Sequence, residues 1–232
     1  MTFGPELETL VPVYFYCYNL FMQFFCSPSK EDITAVFDRW AWLYDFEKYF
    51  FFPLRRKAAK FLGLPINSKV LDVATGTGAQ AYELARLGYD VTGADLSSGM
   101  LAQAAKKLSP NLKLKFLQAD ATKLPFPDDS FDASTVSLAL HDMSFEVEIG
   151  TLNEMKRVTK SGGIILIVDY SEPSMGFVPK LSHEIVKLYE SPNYLSFIQL
   201  GLLGLLEKMG LSIQSKTGFL GVVQIVKVVN SE

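Results

Sequence analysis

The chain has 232 residues, of which 49% are hydrophobic and 20% are charged, and these values suit one globular domain with a substantial core. A net charge of −3 argues against general electrostatic affinity for nucleic acid, so we expect no nucleic-acid partner. The two cysteines and two histidines lack zinc-site spacing and indicate neither a disulfide framework nor a bound metal. We therefore predict a reduced, cytoplasmic setting.

The first 62 residues predict a helical extension that packs on the main domain. Residues 9–29 carry no charged side chain and are rich in Tyr and Phe, in part at helical spacing. We interpret this segment as a buried or lid helix over a lipophilic pocket. The alternatives are contact with a membrane surface, which would make the protein peripheral to the membrane, and a membrane span. The tyrosines that we expect to contact a substrate are Tyr14, Tyr18 and Tyr44.

A fresh helix is predicted to begin at Pro53 and to end at Gly63. From there, short apolar runs alternate with amphipathic stretches, which is typical of a parallel sheet with helices on both faces. The glycine pair Gly162-Gly163 is predicted to break the helix before the fifth strand. The predicted strands cover 69–74, 90–94, 112–118, 131–137, 164–169, 211–217 and 222–229, and the predicted helices cover 80–87, 99–108, 146–159, 180–190 and 197–209.

The expected fold class is α/β, with a doubly wound, mostly parallel, Rossmann-like sheet of seven strands. The last two predicted strands are joined by a short turn, so we expect them to add an antiparallel hairpin to the parallel strands. Residues 63–232 would form this domain, and residues 1–62 would be its helical, aromatic-rich extension.

A glycine-rich loop follows the first predicted strand, in the run VLDVATGTGAQA (70–81). Gly76 and Gly78 fit the dinucleotide pattern G-x-G-x-x-G/A, which taken alone permits a nicotinamide cofactor. Asp72 precedes them, where its charge would repel a pyrophosphate and attract the ammonium or sulfonium group of a cationic ligand.

Two further carboxylates follow neighbouring strands. Asp95 comes after the second strand, where a carboxylate can accept hydrogen bonds from a ribose diol. Asp120 comes after the third strand, where it can accept the amino group of adenine while the amide of Ala121 donates to the ring. Three carboxylates around one cleft favour a cationic nucleoside such as S-adenosylmethionine.

The runs VLDVATGTGAQA, VTGADLSSGML and FLQADATKLPFPDDSFDASTVSLALHDM resemble the class I S-adenosylmethionine-dependent methyltransferases. The resemblance covers about residues 65–170 and implies S-adenosylmethionine as cofactor and S-adenosylhomocysteine as product. Ala74 stands where many family members have glycine. The resemblance implies cofactor contacts at Asp72, Gly76, Gly78, Asp95, Leu96, Asp120 and Ala121, and we expect Ala74, Met100 and Ser137 to line the same site.

Three flanking runs resemble segments of the quinone C-methyltransferases, the ubiquinone/menaquinone group: AVFDRWAWLYD (35–45), VDYSEP (168–173) and YESPNYLSFIQLGLLGLLEKMGL (189–211). This resemblance implies a small, lipophilic, quinone-like acceptor. A phospholipid amine or another small metabolite is an alternative acceptor. A nicotinamide-dependent oxidoreductase and a non-catalytic nucleoside-binding module are alternatives of other classes, and a homodimer is left open.

His141 follows the fourth predicted strand, in the loop that faces the reacting methyl group in proteins of this family. A phenolic acceptor would need a base, and we predict that His141 supplies it and also contacts the substrate. Asp142 is predicted to orient His141 or to act alone. The alternative is that His141 packs against the cofactor or caps the following helix.

Overall fold

The computed structural model describes the backbone of residues 47–172 and 192–231, and the side chains of residues 51–172 and 193–231. The predicted lid, the three candidate tyrosines Tyr14, Tyr18 and Tyr44, and the predicted helix over 180–190 lie outside the described residues and remain predictions. The described part forms a seven-stranded sheet with flanking helices, which confirms the predicted fold class. Among the described residues, no helix is long and apolar enough to cross a membrane.

The helices and strands alternate along the chain, with the bounds that follow. The helices are α1 (Glu47–Leu62), α2 (Ala79–Arg86), α3 (Ser98–Ala105), α4 (Phe145–Val158), α5 (Pro192–Leu200) and α6 (Leu202–Lys208), with a 3₁₀ turn at Leu140–Asp142. The strands are β1 (Lys69–Val73), β2 (Asp90–Asp95), β3 (Leu114–Gln118), β4 (Phe131–Ser137), β5 (Thr159–Tyr170), β6 (Ile213–Phe219) and β7 (Val223–Val229).

The sheet has the strand order β3-β2-β1-β4-β5-β7-β6, and β1 to β5 are parallel. The last two strands form the predicted antiparallel hairpin, with β7 paired to β5 and β6 at the edge. The chain runs outward from β1 to β3 and then returns to β4 on the other side of β1. The point of reversal, at the carboxyl ends of β1 and β4, is where open sheets of this type bind ligands.

The central strands are nearly continuous apolar runs because the sheet is covered by helices. In β5 every residue from 165 to 170 is buried, and β1 is buried from Val70 to Val73. Helix α1 packs on α2 and reaches β5, while α4 packs on β4 and β5. This core fixes the positions of the strand ends, and with them the residues at the carboxyl edge of the sheet.

Two predicted helix boundaries are wrong. Pro53 lies inside α1, and α1 therefore lacks the hydrogen bond that a proline nitrogen cannot donate. The helix predicted over 197–209 is two helices, because Gly201 adopts a left-handed conformation (φ 74°) between α5 and α6. A Cβ at Gly201 would collide with the side chain of Glu172.

The glycine pair Gly162-Gly163 does not break a helix, because α4 already ends at Val158. Both glycines lie inside β5, at a shift of register between β4 and β5. A Cβ at Gly163 would lie 2.7 Å from the carbonyl oxygen of Lys160 and 2.8 Å from that of Asp132. Glycine is needed there because two backbone segments approach closely.

Candidate active site

The carboxyl ends of β1, β2, β4 and β5 meet at one edge of the sheet and carry most of the predicted site. The glycine loop follows β1, Asp95 ends β2, and Ser137 ends β4. Asp120 is the second residue after the end of β3, and His141 lies in the 3₁₀ turn after β4. The topology thus brings the predicted cofactor residues and the predicted base to the same edge.

The two glycines of the loop have different surroundings. Both have positive φ angles, 54° at Gly76 and 75° at Gly78. A Cβ at Gly78 would lie 2.5 Å from Cζ of Phe116, a residue of β3 that fills the space behind the loop. A Cβ at Gly76 would meet no atom of the described residues within 4 Å. Gly78 is therefore required for packing, whereas Gly76 presents bare backbone to open space that a ligand can approach.

Asp72 is buried beneath the loop, and its carboxylate is already engaged. Oδ1 accepts a hydrogen bond from the hydroxyl of Thr135 at 2.6 Å, and Oδ2 accepts one from the hydroxyl of Thr75 at 2.5 Å. Burial raises the pKa of Asp72 to about 6, although both hydroxyls act in the opposite direction. In this structure Asp72 braces the loop from within, and its predicted contact with a ligand ammonium group stays a prediction.

Asp95 links the glycine loop to the second strand. Its Oδ2 accepts the N–H of Gly76 at 2.7 Å, and its Oδ1 accepts the N–H of Ser97 at 2.9 Å. The residue remains partly exposed. Each carboxylate oxygen can accept more than one hydrogen bond, so these contacts leave capacity for a ribose diol.

The residues beyond Asp95 supply an apolar surface and a second acid. Leu96 is exposed, and its carbonyl accepts a hydrogen bond from the Gln118 side chain at 2.8 Å. Met100 is buried in the first turn of α3. The Asp120 carboxylate bonds to the N–H and the hydroxyl of Thr122, at 2.8 and 2.7 Å.

Ala121 and Ala74 complete the predicted cofactor residues near these acids. Ala121 is partly buried against the core, beside Asp120 in the chain. Ala74 has a positive φ of 50°, which explains why glycine would suit this position better.

Ser137 supplies a buried polar atom that no described residue satisfies. Its hydroxyl oxygen is buried and has no hydrogen-bond partner among the described residues. An unsatisfied buried hydroxyl costs roughly 1–3 kcal/mol, so a bound polar group at this strand end would be favourable. The open face of Gly76, the exposed Leu96 and this hydroxyl together fit a nucleoside ligand with a polar extension.

His141 lies in a buried cluster of acids and aromatic rings. Its Nδ1 is 2.6 Å from Oδ1 of Asp169, and its Nε2 is 3.5 Å from Oδ2 of Asp142. The ring contacts Tyr170 edge to face, with centroids 4.8 Å apart, and further edge contacts come from Tyr194 and Phe197. His141 is thus held by neighbours on several sides.

Asp169 and Glu148 belong to this cluster, and the sequence pattern did not indicate either residue. Asp169 is fully buried, and its Oδ2 accepts the N–H of Leu140 at 3.0 Å. Burial and the nearby charge of Asp169 raise the pKa of Glu148 to about 7, and His141 acts in the opposite direction. The only signal for Asp169 was an acid at the end of the fifth strand, in the run VDYSEP.

A pocket of about 320 Å³ lies at the opposite end of the sheet and does not belong to this site. It opens where β4 and β5 begin, whereas ligands of open α/β sheets bind where the strands end. Its lining residues are Asp128, Asp129, Asn153, Lys156, Arg157 and Asn230.

Comparison with known proteins shows which proteins this chain is similar to. Residues 71–167 match the family described as Methyltransferase domain. The chain is 42% identical over 119 residues to a demethylmenaquinone methyltransferase of Beutenbergia cavernae, covering 51% of this chain and 48% of that protein. It is 36% identical over 155 residues to a demethylmenaquinone methyltransferase of Mycobacterium bovis, covering 63% and 62% of the two proteins.

A solved structure has the same fold. A SAM dependent methyltransferase from Aquifex aeolicus superposes with a TM-score of 0.56 at 23% identity, over 75% of this chain and 88% of that one. The chain spans about half to three fifths of the length of the curated relatives just described. The resemblance found in the sequence is confirmed: residues 71–167 match a methyltransferase domain, and the chain is similar to demethylmenaquinone methyltransferases.

Proposed function

We propose that the chain transfers the methyl group of S-adenosylmethionine to a small, lipophilic acceptor of the quinone-precursor type. The observation that carries this proposal is the similarity of the domain to demethylmenaquinone methyltransferases at 36–43% identity. The three flanking runs at 35–45, 168–173 and 189–211 support the same acceptor class.

The cofactor would be held at the carboxyl edge of β1 and β2. The bare backbone of Gly76 allows close approach, the carboxylate of Asp95 can accept ribose hydroxyls, and Asp120 with Ala121 would face the adenine. When bound, S-adenosylmethionine would supply a methyl group to a ring carbon of the acceptor, and the electron pair of the C–S bond would stay on sulfur. A base would take the hydroxyl proton, and the proton on the methylated carbon would then move to the oxygen and restore the hydroxyl-bearing ring.

The base in this proposal is the pair His141 and Asp142. A hydroxyl-bearing aromatic ring becomes a carbon nucleophile when its hydroxyl proton is removed, and a positioned base typically contributes 10²–10⁴-fold to the rate. The side chain of Asp142 is 23% exposed and that of His141 is 4% exposed. Asp142 is therefore the member of the pair that an acceptor can reach, and His141 stands behind it.

An acceptor of this kind is soluble in lipid, so we also propose that residues 9–29 bring the protein to a membrane surface as a peripheral contact. Their uncharged, aromatic composition supports the proposal. Full-length protein should co-sediment with liposomes, and a chain lacking residues 1–28 should not. Equal sedimentation of the two would reject this role.

The decisive experiment is a transfer assay with methyl-labelled S-adenosylmethionine. A reduced demethylmenaquinone analogue with a short isoprenoid tail is compared with a phosphatidylethanolamine dispersion, and the products are identified by mass spectrometry. A labelled methyl on the quinol carbon supports the proposal. Label on the lipid amine would move the chain to the alternative acceptor class, and labelling of neither acceptor would reject the quinone-type substrate.

A further inference from the structure

We infer that Asp169 is a positioning residue for proton transfer, which holds the His141 ring with a proton on Nδ1 so that Nε2 faces Asp142 as the proton acceptor. The inference rests on the proposed function, because it names the residue that prepares the base of that reaction. Which nitrogen of the His141 ring carries the proton can be tested without any acceptor.

The geometry around Asp169 leaves little freedom for the His141 ring. Asp169 is fully buried at the end of β5, and its Oδ1 lies 2.6 Å from Nδ1 of His141. The backbone N–H of Tyr170 donates to the same oxygen at 2.8 Å, and the N–H of Leu140 donates to the other at 3.0 Å. Two backbone N–H groups already donate to this carboxyl group, so we take its oxygens as acceptors and the ring atom that faces Oδ1 as the proton donor. The same argument does not apply to Nε2, because its 3.5 Å separation from Oδ2 of Asp142 is longer than a hydrogen bond.

A purely structural role for Asp169 would not account for this arrangement. Tying β5 to the 3₁₀ turn requires only the bond to the N–H of Leu140, which an asparagine oxygen would accept equally well. The second oxygen is instead placed on an imidazole nitrogen, where both side chains are buried. Such a carboxylate fixes the tautomer of the ring and stabilises the cation that forms when the other nitrogen is protonated.

The proton would follow a short path from the cleft to the interior. The acceptor hydroxyl loses its proton to Asp142, which passes it to Nε2 of His141, and the resulting imidazolium lies between the carboxylates of Asp142 and Asp169. The 3.5 Å separation of Nε2 and Asp142 is longer than a hydrogen bond and would need to shorten on binding, as catalytic contacts often do. After release of the product, the proton returns to water through Asp142.

Other titratable groups face this ring from its own 3₁₀ turn and from three elements packed around it. In the part of the chain that the structure describes they are Asp142 in the 3₁₀ turn, Asp169 and Tyr170 of β5, Glu148 of α4, and Tyr194 of α5. Acidic and aromatic side chains thus surround the buried ring.

The direct test is ¹⁵N NMR of the two histidines in labelled protein. A His183→Gln variant assigns the signals of His141. At pH 8 we expect a neutral ring that carries its proton on Nδ1 and none on Nε2. A ring protonated on Nε2, or on both nitrogens at this pH, would overturn the inference, whether or not any acceptor is methylated.

The consequence for catalysis is tested with Asp169→Asn. Asparagine keeps the size and the acceptor for Leu140, but its NH₂ group would face Nδ1 and move the ring proton to Nε2. We expect kcat to fall by about 100-fold or more, with the KM for S-adenosylmethionine within about twofold. Asp128→Asn, the same change at an exposed acid, is the matched control and should leave both values unchanged.

A second variant, His141→Asn, tests the inference if Asp169→Asn fails to fold. His141→Asn keeps an N–H that can donate to Asp169 but removes Nε2, so it should fold, bind S-adenosylmethionine and lose turnover. Wild-type turnover in this folded variant, or in Asp169→Asn, would contradict the inference. A wild-type protein with the expected tautomer and no labelled product from any acceptor would instead contradict the proposed function.

Discussion

The carboxylate of Asp95 accepts a hydrogen bond from the backbone N–H of Gly76 at 2.7 Å, across 19 residues of chain. This bond joins the end of β2 to the loop after β1, so the acid predicted to bind the ribose also holds the loop that the cofactor approaches. Asp95 therefore fixes the shape of the loop, and its contact with the ligand is a prediction.

We expect Asp95→Ala to weaken the binding of S-adenosylhomocysteine by tenfold or more, which corresponds to about 1.4 kcal/mol or above. The physical reason is the loss of charge-assisted hydrogen bonds to the ribose together with the contact to Gly76. Isothermal titration calorimetry measures the effect. Asp90→Ala, at the other end of the same strand, is the control and should bind normally; equal affinity of the two variants would reject the role of Asp95.

Substitutions of the two loop glycines should affect different properties: one mainly the stability of the fold, the other mainly the binding of the cofactor. Gly78→Ala places a Cβ against Phe116 at a positive φ, and we expect it to lower the free energy of unfolding by about 2–4 kcal/mol. Gly76→Ala meets open space, so it should cost only about 1–2 kcal/mol in backbone strain while weakening cofactor binding. Urea denaturation and calorimetry distinguish the two effects.

A compensating change tests the cause of the Gly78→Ala effect. Phe116→Leu shortens the side chain that fills the space behind the loop, so the double variant should be less destabilised than the sum of the two single changes. Strict additivity would mean that backbone strain alone, and not the contact with Phe116, makes glycine necessary at this position.

The fold could be predicted from the sequence because the alternation of apolar runs with amphipathic stretches repeats for most of the domain. The acids Asp95 and Asp120 are predictable for the same reason, since each lies at or just after the end of a strand, and these ends share one edge of the sheet. Gly162 and Gly163 were misread because a glycine pair ends many helices, whereas here it permits a close backbone approach within a strand.

The contacts of Asp72 and His141 could not be predicted, because they depend on register between strands distant in sequence. Asp72 lies beside Thr135 because β1 pairs with β4, although the two residues are 63 positions apart in the sequence. His141 meets Asp169 through the pairing of β4 with β5, across 28 residues. The charge argument that, with the resemblance, assigns Asp72 to the ligand omits the two hydroxyl groups that donate to its oxygens.

The positive φ of Ala74 predicts a stabilising substitution. A residue with a Cβ is strained by about 1–2 kcal/mol in this conformation, while glycine costs about 0.5–1 kcal/mol in chain entropy. We therefore expect Ala74→Gly to raise the free energy of unfolding by up to about 1 kcal/mol, measured by urea denaturation. Ala102→Gly, on the exposed face of α3, is the control and should lower it by about 1 kcal/mol; destabilisation by both changes would contradict the strain at Ala74.

Glu148 should make the protein less stable as the pH rises. Its pKa is raised from 4.5 to about 7 in the folded state, so between these values the folded chain binds more protons than the unfolded one. The free energy of unfolding then falls with increasing pH across this window, and the destabilisation is complete above about pH 7. Asp72, with its pKa raised from 3.8 to about 6, contributes in the same direction at slightly lower pH.

Replacement of Glu148 by Gln removes the charge that burial penalises. We expect Glu148→Gln to raise the free energy of unfolding at pH 8 by roughly 1–3 kcal/mol and to have little effect at pH 5, because a shift of one pKa unit corresponds to 1.36 kcal/mol. Urea denaturation at several pH values measures this difference. Glu146→Gln, at an exposed position of the same helix, should change stability little at either pH. A gain in Glu148→Gln that is equal at pH 5 and pH 8 would show that improved packing, and not removal of a buried charge, is the cause.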